Sequence, residues 1–169
     1  DFDSGTMFAS ILDEDCGGSF GVEIVDGRVT GQSYLPNSNV LVTTFESSDG
    51  AFELIDFMPR YSSDGRADAG NDVGPDVVRK LKLLHGAPRV RIHFGPRLDY
   101  ARGVTHVAVE PSCIKATTEG TCEQGPYYES IYLYTDMDST SVKDGTGIVL
   151  DEDKFLVVSY HDKVQVPDM

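Results

Sequence analysis

The sequence predicts an all-β protein: a large two-layer antiparallel β-sandwich with little helix. Three observations lead there. Short runs alternate apolar and polar residues, and Gly, Asp, Asn and Pro punctuate them at sandwich spacing, giving about eleven strands. No amphipathic helical pattern exceeds about three turns, and no repeat of solenoid or propeller period occurs. Hydrophobic residues make up 40% of 169, enough for one continuous core.

Phe20–Val25 alternates and runs into Asp26-Gly27, a pair that tolerates positive φ. That predicts a type I′ hairpin turn with Gly31–Leu35 as the return strand. Val40–Glu46 is β-branched, Asp49-Gly50 supplies the next turn, and Ala51–Met58 pairs back. The first half is therefore expected as a meander of hairpins. From Tyr61 to Pro75 apolar residues are almost absent, which predicts a long loop. Val77–Leu84 fits a strand or a short helix, because Val78, Leu81 and Leu83 follow neither period cleanly. In Arg89–Phe94 the apolar Val90, Ile92 and Phe94 face one way, and Arg89, Arg91 and His93 the other. Thr105–Glu110, Cys113–Thr118, Glu129–Thr135, Gly147–Leu150 and Lys154–Val164 complete the strands. Met7–Leu12, with Met7, Phe8, Ile11 and Leu12 apolar, fits one helical turn.

The formal net charge is −14. Such a surface repels phosphate backbones and anionic lipid, which argues against nucleic-acid and membrane partners. No apolar run approaches the roughly 20 residues of a membrane span. The charge suits plain solubility or a salt-rich host. Cys16, Cys113 and Cys122 are too few and odd in number for a disulfide framework. They fit free thiols in a reducing cytoplasm, the expected location, or in an exported protein a Cys113–Cys122 pair across a hairpin. With four scattered histidines and no Cys-x-x-Cys, neither a metal site nor a cofactor is expected.

Paired carboxylates are the natural place to look for hydrolytic chemistry. Asp13-Glu14-Asp15 and Asp151-Glu152-Asp153 form acidic triplets, but nothing predicts the burial that a catalytic acid needs. They fit exposed turn tips. Asp56 differs, because it lies within the apolar run Leu54–Pro59. A carboxylate there requires backbone donors or an arginine, with Arg60, Arg97 and Arg102 as candidates, and a structural use is expected. Asp136-Met-Asp138-Ser-Thr140 opens like a calcium loop, but Ser141 and Gly147 replace the glycine and glutamate that the loop requires. Asp64, Asp68, Asn71 and Asp72 offer oxygen ligands, and a solvated loop is the simpler use for them. There is no Gly-x-Ser-x-Gly, and Gly145-Thr-Gly147 lacks the features of a phosphate loop. Tyr127, Tyr128, Tyr132 and Tyr134 group on one hairpin, where half-buried packing is preferred over sugar stacking.

Several segments fall outside these general patterns: Phe2-Asp3-Ser4, Gly17-Gly-Ser-Phe20, Tyr34-Leu-Pro-Asn-Ser-Asn-Val-Leu41, Asp56-Phe-Met-Pro59 and Phe94-Gly-Pro-Arg-Leu-Asp-Tyr-Ala-Arg102. Together they resemble the amino-terminal domain of bacterial and archaeal glycoside hydrolase family 15 proteins, the glucoamylase-like and trehalase-like enzymes. The resemblance runs from Phe2 to about Arg102. It implies a β-sandwich of the supersandwich type, followed in the longer polypeptide by an all-helical catalytic barrel. On that reading, residues 1–169 are one sandwich domain of a longer chain and hold no catalytic residue. The parent would be an inverting enzyme acting on α-linked glucosides, with two barrel glutamates as acid and base. The barrel would be the partner, and the carbohydrate an indirect one. The residues expected at the domain interface and cleft rim are Phe2, Asp3, Tyr34, Leu35, Pro36, Asn37, Asn39, Asp56, Phe57, Met58 and Pro59. The rival expectations are a free-standing carbohydrate-binding module and a domain that only aids folding.

Overall fold

The structure, a computed structural model, describes residues 5–59, 76–122 and 125–160, with the backbone alone for 120–127. Eleven strands occur among the described residues: β1 (Ser19–Ile24), β2 (Gly27–Tyr34), β3 (Leu41–Ser47), β4 (Gly50–Phe57), β5 (Val77–Gly86), β6 (Arg89–Gly95), β7 (Thr105–Val109), β8 (Ile114–Cys122), β9 (Gly125–Thr135), β10 (Ile148–Val149) and β11 (Lys154–Ser159). One short helix, α1 (Ser139–Asp144), precedes β10. The strands form two antiparallel sheets, as the sequence patterns require. The larger has the order β2-β3-β4-β5-β11-β9-β8-β7, and the smaller β1-β6-β10.

Period-two alternation builds the core between the sheets. Phe52 and Leu54 of β4, Leu81 of β5, Leu156 of β11, Ile131 and Leu133 of β9 and Ile114 of β8 point inward. They meet Ile24 of β1 and Val90, Ile92 and Phe94 of β6. Each such side chain contributes about 1.5–3 kcal/mol on burial. The opposite face of the large sheet carries a second cluster of Val78, Cys113, Tyr134 and Val157, joined by Phe57, Tyr132 and Phe155. The large sheet is thus apolar on both faces along its centre. This explains why Val77–Leu84 matched neither period: β5 is an interior strand between β4 and β11, not a helix.

Two expectations fail on topology. Asp26-Gly27 does not close a hairpin, because β1 pairs with β6 and β2 pairs with β3. The dipeptide carries the chain from one sheet to the other. Only Asp26 of the pair adopts positive φ, at 53°. The bond from Val25 N–H to the Arg89 carbonyl holds the corner in the small sheet. A Cys113–Cys122 bridge is also ruled out. The two residues bracket β8, so about 30 Å of extended strand separates them. Cys113 is buried, with its thiol directed at Glu110 Oε2, 3.9 Å away.

The single turn expected in Met7–Leu12 forms later than its apolar residues suggest. The Leu12 and Asp13 amides both donate to the Ala9 carbonyl. Met7 and Phe8 pack on the core, while Ile11 and Leu12 face solvent, 94% and 86% exposed. The expected loop from Tyr61 to Pro75, with Asp64, Asp68, Asn71 and Asp72, lies outside the described residues, as does the chain beyond Tyr160.

Candidate functional site

The strand directions bring the distinctive segments together at one end of the sandwich. Tyr34 pairs with Leu41, and Leu41 with Asp56, so the carboxyl end of β2, the start of β3 and the end of β4 share that edge. Ser19 pairs with Gly95, which puts Gly17-Gly18 and the segment after β6 at the corresponding end of the small sheet. Arg79 joins the two ends by donating to the Phe20 carbonyl and lying over the Phe20 ring, 4.3 Å from its centroid. Of the twelve exposed large apolar side chains among the described residues, all but Val29, Leu84, Val109 and Val149 belong to this end.

Residues 34–39 make a tight exposed turn. Leu35 N–H bonds to the Val40 carbonyl, and the Leu35 carbonyl accepts from both the amide and the hydroxyl of Ser38. The Ser38 hydroxyl in turn accepts from Val40 N–H, 3.2 Å away. Asn37 holds φ at 57°, a conformation that asparagine tolerates better than most residues. Tyr34, Leu35, Pro36, Asn37 and Asn39 are all exposed, as is Met58, while Phe57 and Pro59 are partly covered. Phe57 belongs to the outer-face cluster. Phe2 and Asp3 lie outside the described residues.

Asp56 is not part of this exposed group. Alternation with Leu54 turns it inward, where its carboxylate oxygen lies 3.3 Å from Arg79 Nε as an ion pair, without hydrogen-bond alignment. Burial pushes the Asp56 carboxyl up and the Arg79 guanidinium down, and each charge partly offsets the shift of the other. Of the arginines expected from sequence, neither Arg97 nor Arg102 is this partner. Arg102 pairs with Asp99, Arg97 lies after β6, and Arg60 is outside the described residues. Arg79 was legible in principle. Val77, Arg79 and Leu81 alternate inward as Leu54 and Asp56 do on the neighbouring strand, which sets one opposite charge across from the other.

The last distinctive segment contains an unusual turn. Asp99, Tyr100 and Ala101 take φ of 49°, 54° and 57°, three consecutive non-glycine residues in the left-handed region. The turn is held at several points. Leu98 is fully buried and its amide donates to Thr105 Oγ1 at 3.1 Å. Tyr100 N–H bonds to the Thr6 carbonyl at 3.1 Å. The Glu129 carboxyl accepts from the Asp99 amide, yet burial and the nearby Asp99 charge leave its pKa raised. Burial and the Glu129 charge likewise raise the Tyr160 hydroxyl.

Five of the other acidic candidates, Asp13, Asp136, Asp138, Glu152 and Asp153, have structural partners. Asp13 Oδ1 accepts from the amides of Asp15 and Cys16. Asp153 accepts from Leu83 N–H and pairs with Lys80. Glu152 pairs with Lys154. Asp138 caps α1 through the Ser141 amide, and Asp136 accepts from Phe155 N–H, so the false calcium loop is a helix start beside a strand. Tyr134 is fully buried, Tyr132 partly so, and Tyr128 exposed; the Tyr127 side chain is outside the described residues. No helix among the described residues is long and apolar enough to cross a membrane.

Fold and site define an antiparallel β-sandwich whose distinctive residues brace and furnish one end. The chain belongs to the trehalase-like, N-terminal family, whose sequence model matches residues 1–124. A segment of 59 residues is 44% identical to trehalase 1 of Sulfolobus acidocaldarius, covering 34% of this chain and 10% of that protein. Over 103 residues the chain is 31% identical to a trehalase of Thermoplasma acidophilum, covering 59% of this chain and 17% of that protein. The matched part is thus less than a fifth of either relative. No solved structure matches the chain.

Proposed function

We propose that this sandwich is the non-catalytic amino-terminal domain of a trehalase-like glycoside hydrolase of the cytoplasm. It packs against the catalytic barrel of the same polypeptide and shapes the rim of its cleft. The parent substrate is an α-linked glucoside, of which trehalose is the first to test. The observation that carries this reading is the gathering of four sequence-distant segments, at 17–20, 34–41, 56–59 and 94–102, on one end of the fold. An exposed apolar end is the expected form of a domain-docking surface. The Tyr34–Asn39 turn and Met58 form one part of the contact, and Asp56 supports it from within through Arg79.

The test uses the complete polypeptide. Purified, it should hydrolyse trehalose, and the 169-residue chain alone should not. Asn37→Glu with Met58→Glu should lower the melting temperature of the complete enzyme and its trehalose turnover, with little effect on the isolated chain. Unchanged melting and turnover would remove these residues from the interface, and trehalose hydrolysis by the short chain would overturn the non-catalytic reading.

A further inference from the structure

Sequence and local structure put an apolar knob beside a largely apolar groove at the same end of the fold. In the turn that begins at Ala9, Ile11 and Leu12 project into solvent. Their neighbours Met7 and Phe8 are anchored in the core, so the exposed pair stands on a fixed base. The ladder bonds from Ala9 N–H to the Gly17 carbonyl and from Arg97 N–H to the Met7 carbonyl tie this turn to the segment after β6. Between them lies a groove lined by Ala9, Leu12, Cys16, Tyr100 and Ala101, with Arg97 and Asp13 as its charged residues; Asp13 Oδ1 is occupied by the amides of Asp15 and Cys16. Its far wall is the left-handed turn, which aims a half-exposed Tyr100 with the Arg102 guanidinium over its ring, 5.3 Å from the centroid. Arg97 is exposed and makes no ion pair among the described residues.

Three residues in the left-handed region cost about 1 kcal/mol or more each, and such strain persists only where the surroundings impose it. Here Leu98, Thr6 and Glu129 impose it, and its visible result is the placement of Tyr100 against the groove. Resting on the function proposed above, we infer that this knob and groove form a second docking point for the catalytic portion of the same polypeptide. It receives an apolar side chain adjoining a carboxylate. The apolar walls take the side chain, and the exposed Arg97, outside any ion pair among the described residues, meets the carboxylate. The relatives point to this occupant over a second copy of the chain, because the matched segments leave most of each relative as further polypeptide.

Cys16 is an exposed free thiol in the groove wall and provides a direct reporter. In the complete polypeptide with Cys122→Ser, Cys16 should react with a small maleimide at least about tenfold more slowly than in the same protein carrying Leu12→Asp and Arg97→Glu. Leu12 and Arg97 are both exposed, so the changes spare the core. A second protein, with Cys16→Ser and Asn37→Cys, reports on the other docking point. Shielding at both positions supports the inference. Shielding at position 37 with a fully reactive Cys16 overturns it and leaves the proposed function standing. Full reactivity at both positions overturns docking at this end altogether.

Discussion

The two ends of the sandwich are built to different rules. At the end holding the β3–β4 turn, local turn chemistry satisfies the backbone. Ser47 Oγ donates to the Gly50 carbonyl and accepts from Asp49 N–H, Ala87 N–H bonds to the Asp49 carbonyl, and Leu150 N–H bonds to the Pro88 carbonyl. Gly86 carries the left-handed conformation there, at φ 76°, where the Asp49 carbonyl leaves no room for a side chain. That end has one non-glycine residue at positive φ, Asp26, whereas the opposite end has four, Asn37, Asp99, Tyr100 and Ala101, together with a charge pair turned inward and eight of the twelve exposed large apolar side chains among the described residues. One end is finished by its own sequence, and the other keeps features that isolated folding does not favour. Departures of that kind collect where a surface has work besides stability.

The sharpest way to test the contrast is to break the finished end. A Cβ on residue 86 would lie 2.2 Å from the Asp49 carbonyl oxygen, so Gly86→Ala should cost about 3 kcal/mol in urea unfolding. A loss under about 1 kcal/mol would mean that this end rearranges easily and the contrast is wrong.

Next is the interior pair at the other end. Asp56→Ala leaves the Arg79 guanidinium largely buried without its partner and should cost about 2–3 kcal/mol. Combining it with Arg79→Met should recover most of that loss, since an apolar chain of similar length fills the site without an unpaired charge. Additive losses from the two changes would show that Arg79 acts through Phe20 and not through Asp56.

The smallest effect should have the opposite sign. Ala101→Gly relieves one left-handed residue and should stabilise the isolated chain by about 0.5–1 kcal/mol. The same change should loosen the placement of Tyr100, so it should also speed Cys16 labelling in the complete polypeptide. Destabilisation of the isolated chain would mean that the turn is relaxed and its geometry serves packing alone.

Much of this was legible before the structure. Val90, Ile92 and Phe94 alternate with charged residues and are buried as that alternation demands. The distinctive segments were visible as segments, and Leu35 and Met58 within them are exposed at a turn and a strand end. The pairing of Asp26-Gly27 was misjudged because turn residues fix only that the chain changes direction. Both a hairpin and a corner between sheets satisfy the same local chemistry. Arg79 was missed because its apolar neighbours on both faces of β5 blurred the alternation that marks an inward position.

By itself, then, the sequence determined the all-β class, most strand positions and the segments that set this chain apart. Those features depend on period-two patterning and turn residues, which act over a few positions. Only the tertiary structure decided which strands share a sheet, that Asp56 meets Arg79, and that residues 17–20, 34–41, 56–59 and 94–102 meet at one end. Those outcomes depend on pairing between residues distant in sequence. Burial of one shared core selects that pairing, and no local pattern encodes it.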